Sequence, residues 1–591
     1  MNFIILTVSD LTHSSIDPVS PKINWARIDE ADNFAETVKL YRQGKYDEAS
    51  FRRFRLQHGA YGTRMTSDYA MVRVKLPAGE IYPKQFEKLS QLSEQYSIGS
   101  AHFSTRENIQ LHWVILEDVS EIFRSLAEVG LTSREACGNS VRNVMCSPLS
   151  GVCCDEKFDS TPYALATAKF FLRNPMAQSL PRKFKFNFTC CEKHGMVRMV
   201  DVGLIPEIQQ IDGSEQKGFK IFLGGGLGNK SFVGHQLEDF TPEEDLLYTS
   251  IAVMRIFDRL GDRKNLARNR MRYLVNDMGW EKFQNLVLKE RAIVRATQSV
   301  VTKLKVDTTP DKITRPLKIS DEGGSSVPDG YARWLKSNTI KQKQSDYRSV
   351  FITLEAGDIT SNQLNSMAAL IREFSSEGKA RSGFVQNVAL RYVHEDDLVK
   401  LYSRLLETGL AKSGGLTMTA PVGCSGTTSC NLALTNSHRL AKEIQRKFLE
   451  LKLDEDDDLA DSSIKISGCP NSCAQHGIAT IGFFGGGGRF DADTTLGQTC
   501  LRVPAKRVIP VILKIIELFK ANKQSDDTLK SWIHRIVNDS EDSDIKSIGD
   551  IKKVLEPLVA PPTKEDDPDF YLDYGSDTSY HTKTGKGECA A

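Results

Sequence analysis

At 591 residues the chain exceeds what one hydrophobic core organises, so several domains or repeated units are expected. Its 77 Lys and Arg nearly balance 76 Asp and Glu, which excludes the global basic field that drives binding to nucleic acid or a membrane surface; any anion site must be built locally. Twelve cysteines, unevenly spaced in so long a chain, do not make the framework of a small secreted disulfide domain and fit reduced thiols, some of them metal ligands.

The first residues, MNFIILTVSDLTHSS, hold a short apolar run with no basic residue before it, a poor signal peptide and too short to span a bilayer, so a soluble, cytoplasmic protein is expected. Residues 1–54 read as an extension with a helix from Glu30 to Arg42. VRVKLPAGEIYPKQFEKL (72–89) then shares one plan with VFITLEAGDITSNQLNSM (350–367): an alternating strand, a Gly turn, then helical spacing. Each is followed by a short strand, HFSTRENIQLHWV (102–114) or SGFVQNVALRYV (382–393), and by a helix ending in SLAEVGL or RLLETGL. Further on, LPRKFKFNF (180–188) leads towards IFLGGGLG (221–228), as IKISGCPNSCAQHG (464–477) leads into GFFGGGG (482–488). The period of about 280 residues is far too long for a solenoid and predicts a two-fold pseudosymmetric α+β protein with its ligand between the halves. Between them, 303–345 is rich in Lys, Ser, Gly and Thr and reads as a linker; 451–463 reads as a solvated acidic turn, and 560–591 as a mobile tail.

The copies differ in charge where they correspond. Arg73 of the first stands where the second has Phe351, and Lys183 and Lys185 lie opposite the second copy's cysteine loop, so one half offers cations and the other thiols. Cys424 and Cys430, with five residues between them in PVGCSGTTSCNLAL, and Cys469 and Cys473, with three between them in SGCPNSCAQHG, sit in tight loops whose amides can face a metal–sulfur centre. Soft thiolates suit zinc or iron–sulfur; the five-residue gap is wider than structural zinc sites use, which favours iron–sulfur. Cys137, Cys146, Cys153, Cys154, Cys190, Cys191, Cys500 and Cys589 read as core residues, with Cys153 and Cys154, near the basic motifs, as the exceptions. The glycines of IFLGGGLG do not make a dinucleotide loop, because no acidic residue follows in the expected strand.

Cys-x5-Cys followed by Gly-Cys-Pro-Asn-x-Cys resembles the sirohaem-dependent sulfite and nitrite reductases. VRVKLPAG, STRENIQLHW, NSVRNVMC, LPRKFK, IFLGGGLG and GDRKN follow in that family's order over roughly 50–555. The resemblance implies ferredoxin-like half-domains (55–150 and 346–415) and two mixed α/β cofactor-binding domains (151–302 and 416–559). It implies a [4Fe–4S] cluster on Cys424, Cys430, Cys469 and Cys473, with Cys473 bridging to the sirohaem iron. It assigns Arg73, Arg142, Lys183 and Lys185 to the substrate, and Arg106, Gln110, His112, Arg182 and Asn471 to sirohaem contacts. Arg263, Lys264, Arg270 and Arg272 are further candidates, and His102 stands where some relatives have arginine.

Reducing a bound oxyanion requires oxygen to leave as water, so permanent cations and proton-donating amines are the groups needed. Alternation puts Lys183 and Lys185 on one face of a strand. The resemblance links Lys-x-Lys at this position to sulfite and Lys-x-Asn to plant-type nitrite enzymes, and a second lysine favours the doubly charged anion. Sulfite is therefore the expected substrate, with nitrite as the alternative and a sirohaem-free electron carrier or a zinc scaffold as rival classes. No flavin or pyridine-nucleotide unit is visible, so a separate ferredoxin or flavoprotein reductase is expected to donate electrons.

Overall fold

The computed structural model describes residues 20–64, 66–297, 304–316, 327–486, 500–537, 545, 547–572 and 574. Most of the stretch read as a tail, the end of GFFGGGG and Cys589 lie outside the described residues.

The duplication is expressed as two sheets of five strands that exchange an edge. In the first, Ala60–Gly62, Tyr69–Lys75, Asn108–Ile115 and Ser100–Phe103 are completed by Asp358–Thr360 of the second half. In the second, Thr339–Lys341, Tyr347–Ile352, Val388–His394 and Ala380–Ser382 are completed by Glu80–Ile81 of the first. The exchange follows from the Ala-Gly turn common to both copies. Gly79 and Gly357 have φ of +72° and +87°, and a Cβ there would lie 2.7 Å from Ser382 O and 2.4 Å from Phe103 O, both on the opposite half's strands. Only glycine fits a turn that carries the chain directly across to the other sheet.

Each strand expected after the first helix is a hairpin of two strands, because Glu107 and Gln386, at equivalent positions, adopt φ of +50° and +60° and reverse the chain. Matching bulges, between Ala70 and Val72 and between Arg348 and Val350, confirm the shared register. Helices Pro83–Tyr96 and Ser361–Phe374 pack against each other, and one apolar core runs through both sheets, from Val72, Ile109 and Leu111 to Val350, Leu364 and Leu390. The N-terminal helix, Asp29–Arg42, lies on Val119–Glu128 with Phe34 edge-on to Phe123. The expected linker is shorter than 303–345: Tyr331–Asn338 is a helix and Thr339–Lys341 a strand of the second sheet, with Trp334 fully buried.

The remaining parts of each half are also related. Met145–Cys146, Phe186–Phe188 and Val202–Ile211 form a parallel set, extended by the antiparallel strand Ser214–Leu223. Val422–Gly423, Ile464–Ser467 and Ile481–Phe484 form the corresponding parallel set in the second half. The loops after these short strands carry the cysteines of one half; the stretch leading into Phe186–Phe188 carries the lysines of the other.

Candidate active site between the halves

Cross-strand register builds the first row of the site. Arg73 pairs with Gln110, Gln110 with His102, and His102 with Asp358, so four strands, the last from the opposite half, present four polar side chains side by side. In the second sheet the equivalent row is Phe351, Ala389, Arg381 and Glu80. Its inner half is apolar, and the first row alone is equipped for an anion.

Arg73 Nη1 donates to Tyr61 Oη at 3.0 Å with its guanidinium 4.5 Å from the ring centre, and Arg142 Nη1 reaches the same hydroxyl at 3.3 Å. Tyr61 thus ties two of the expected substrate residues together. His102 is held from both sides: Nδ1 lies 3.0 Å from Asp358 Oδ1 and Nε2 accepts from Gln386 Nε2 at 3.1 Å. Asp358 also meets Lys442 and His438, and burial lowers the His102 pKa, so this ring is a neutral strut of the seam between halves. His112 is half-buried beside His102, its ring centre 6.0 Å away, and desolvation pushes its pKa down to about 3.

Lys183 and Lys185 flank the buried Phe184 in the stretch leading into Phe186–Phe188. Lys185 is anchored by its backbone N–H on Asp201 Oδ2 at 3.0 Å; burial first, then Arg106, Arg270 and Lys183, lower its pKa far below the usual lysine value. Arg106 donates to Asn143 O at 3.0 Å and is pushed to about 10, chiefly by burial. Arg270 pairs with Asp201 at 2.8 Å, and Arg272 beside it is likewise pushed to about 10 by burial and by Arg270. Arg182 is buried in the same stretch. Arg263 and Lys264 part from this group: Arg263 bonds Asp258 at the surface and Lys264 is exposed.

The cysteine loops meet this cationic wall from the second half. Cys473, exposed on the lip of its loop, is close enough to Lys183 to feel its charge. The first half grips the loops directly: Thr105 Oγ1 donates to Cys473 O at 2.8 Å, and Arg64 Nη1 to Cys430 O at 2.9 Å. Gly468 N–H points at Cys424 Sγ from 3.1 Å, the amide-to-sulfur bond that an electron-transfer centre uses to tune its potential. Asn471 is exposed between Cys469 and Cys473.

Cys424, Cys430 and Cys469 lie close enough to Cys473 to act on its thiol, so the two loops bring their sulfurs to one place, as a cluster taking one thiolate per iron requires. On the cationic wall, Arg106 Nη1, Arg270 Nε, and Nε and Nη1 of Arg272 are buried without a hydrogen-bond partner among the described residues. Buried guanidinium groups crowded around a single carboxylate fit a polycarboxylate ligand that would bond and neutralise them.

Residues 62–129 and 340–408 match the family model described as the nitrite/sulfite reductase ferredoxin-like half domain. Residues 137–294 match the nitrite and sulphite reductase 4Fe–4S domain. The chain belongs to the nitrite and sulfite reductase family. This reductase carries sirohaem and a [4Fe–4S] cluster as its cofactors. It is 28% identical over 539 residues to the assimilatory ferredoxin-dependent nitrite reductase of Haloferax mediterranei, covering 85% of this chain and 88% of that one. It is also 28% identical over 429 residues to a sulfite reductase [ferredoxin] of Mycolicibacterium paratuberculosis, covering 71% of each. The solved structure of Mycobacterium tuberculosis NirA protein shares the fold, with a TM-score of 0.67 at 22% identity over 86% of this chain and 96% of that one. No helix among the described residues is long and apolar enough to cross a membrane.

Sequence reasoning missed the strut of His102, Asp358, Gln386 and His438. It also missed that Cys190 and Cys191, read as core residues, gather with Cys153 and His194 in one group; Cys154 is exposed and outside it.

Proposed function

We propose that this reductase converts sulfite to sulfide in the seam between its halves, taking electrons from a separate ferredoxin, the donor named for relatives of both kinds. When bound, the cluster and sirohaem supply electrons one at a time and an iron for the anion to sit on. Cys424, Cys430, Cys469 and Cys473 would hold the cluster, with Cys473 facing the basic wall. Arg106, Arg182, Arg270 and Arg272 would neutralise the sirohaem carboxylates, with Gln110, His112 and Asn471 as further contacts. Arg73 and Arg142, tied at Tyr61, would orient the anion's oxygens, and Lys183 and Lys185 would hold protons for the oxygens that leave as water.

The observation that carries sulfite over nitrite is Lys185. It is a second amine beside Lys183, half-buried among cations; burial and those cations lower its pKa in the unliganded site, and a bound dianion, by offsetting them, would restore its proton and its charge. Each added positive charge stabilises a dianion more than a monoanion. Steady-state assays with a reduced viologen test this: Lys185→Asn should lower the sulfite-to-nitrite ratio of kcat/KM by about tenfold or more, about 1.4 kcal/mol of discrimination. An unchanged ratio would remove Lys185 as the selecting group.

A further inference from the structure

The pseudo-two-fold axis that relates the halves carries the cysteine loops onto a second place in the molecule. Cys146 pairs with Phe188 as Gly423 pairs with Ile466. Ser147 N–H donates to Phe188 O at 3.1 Å as Cys424 N–H donates to Ile466 O at 3.2 Å. Cys153 N–H donates to Leu149 O at 2.9 Å as Cys430 N–H donates to Gly426 O at 3.0 Å. Counting along these matched frames, Cys153 occupies the place of Cys430 and Cys191 that of Cys469, while Ser147 replaces Cys424.

Two more ligand-type side chains join the two retained cysteines. Cys191 Sγ lies 3.1 Å from His194 Nδ1, 3.9 Å from Cys153 Sγ and 4.0 Å from Cys190 Sγ. His194 Nδ1 is 3.7 Å from Cys153 Sγ and 3.6 Å from Cys190 Sγ, and all four ligand atoms lie within 4.8 Å of one another. A zinc ion with Zn–S of about 2.3 Å and Zn–N of about 2.0 Å makes a tetrahedron with S–S edges of about 3.8 Å and S–N edges of about 3.6 Å. Four of the observed edges match such a site to within about 0.2 Å, and the Cys191–His194 edge is about 0.5 Å shorter.

The surroundings are also those of a closed metal site. The backbone N–H groups of Asp155 and Lys193 point at the sulfurs of Cys153 and Cys191, and Cys190 Sγ lies 3.5 Å from Ser147 Oγ, so the sulfurs have polar support beyond one another. Around them is an apolar shell of Leu149, Val152, Phe351 and Ala389. Phe351 and Ala389 are the residues that replace Arg73 and Gln110 in the second sheet's row, so this copy has lost the anion-binding face and is packed shut.

We propose that Cys153, Cys190, Cys191 and His194 bind a single structural zinc ion, distinct from the iron–sulfur cluster and placed at its pseudosymmetric counterpart. Binding exchanges thiol protons for the metal and needs no oxidant or reductant. The ion would fasten the seam where Lys343 N–H and Gln344 Nε2 of the second half bond Val152 O and Gly151 O of the first, each at 2.9 Å. The inference does not depend on which anion the enzyme reduces.

Metal analysis of the full-length holoenzyme should find about one zinc per chain in addition to its iron, and zinc K-edge absorption should show three sulfurs at about 2.3 Å and one nitrogen at about 2.0 Å. In Cys191→Ser and His194→Ala, zinc should fall below about 0.2 per chain with sirohaem and iron retained, while Cys154→Ser keeps it. The absorption measurement on the wild type decides the matter if these variants do not fold. A zinc-free wild type, an oxygen- and nitrogen-only zinc shell, iron in place of zinc, or a disulfide among the three cysteines would each overturn the proposal.

Discussion

Burial outweighs partners in setting the ionisation of His58, His102 and His112. His58, at the end of the helix Glu48–Gln57, accepts from Arg134 Nη1 at Nε2 over 2.8 Å, and its Nδ1 lies 2.9 Å from Phe54 O. The proton therefore sits on Nδ1 and the ring is neutral. Burial and Arg134 push its pKa down to about 4 from an ordinary 6.5. Between those values the unfolded chain takes up a proton that the folded one refuses, so the folded state loses stability as pH falls, by up to about 3 kcal/mol. His58→Gln removes that acid penalty: the Tm gap between wild type and variant should narrow from pH 7.5 to pH 5, and a constant gap would contradict it. The thiols and cations proposed for the site were found in the sequence by different signals, the thiols by their spacing and the cations by family resemblance. The strut of His102 was not, since its partners Asp358 and Gln386 lie more than 250 residues away and meet it only through the exchanged strand.

That exchange is the element on which the seam depends. Glu80, on the strand that crosses into the second sheet, takes Lys379 at 2.7 Å and Arg381 at 3.1 Å, and both cations are almost wholly buried. They hold its carboxyl below the usual range although partial burial works the other way. Glu80→Gln leaves Arg381 without its carboxylate and Lys379 with Asp311 alone, so it should cost about 3 kcal/mol and lower the Tm by several degrees. An unchanged Tm would show that the crossing strand is held by its backbone pairing alone. The alternating strand, Gly turn and helix of each copy could be read directly from the pattern. Which sheet received Glu80–Ile81 or Asp358–Thr360 could not, because a two- or three-residue edge strand has no periodicity of its own. The linker was read too long for a related reason: Tyr331–Asn338 has one buried anchor, Trp334, in a stretch whose polar composition otherwise resembles a loop.

At the scale of the whole molecule, duplication and divergence explain one working site. The first half kept cations on its sheet and on LPRKFK, and the second kept four cysteines; the reverse pairing became an apolar face packed on a Cys3His group. The sequence repeat announced the symmetry, and the charge difference between copies announced that the site is asymmetric. Only the strand register, however, aligned Cys153 with Cys430 and Cys191 with Cys469. The relatives include nitrite and sulfite reductases at equal identity, so likeness does not choose the anion, and the proposal of sulfite rests on the site's charge. The most direct measurement is steady-state turnover of the wild-type holoenzyme with each anion in parallel, using reduced ferredoxin or viologen. A kcat/KM for sulfite above that for nitrite is the predicted result, and a wide preference for nitrite would contradict the account.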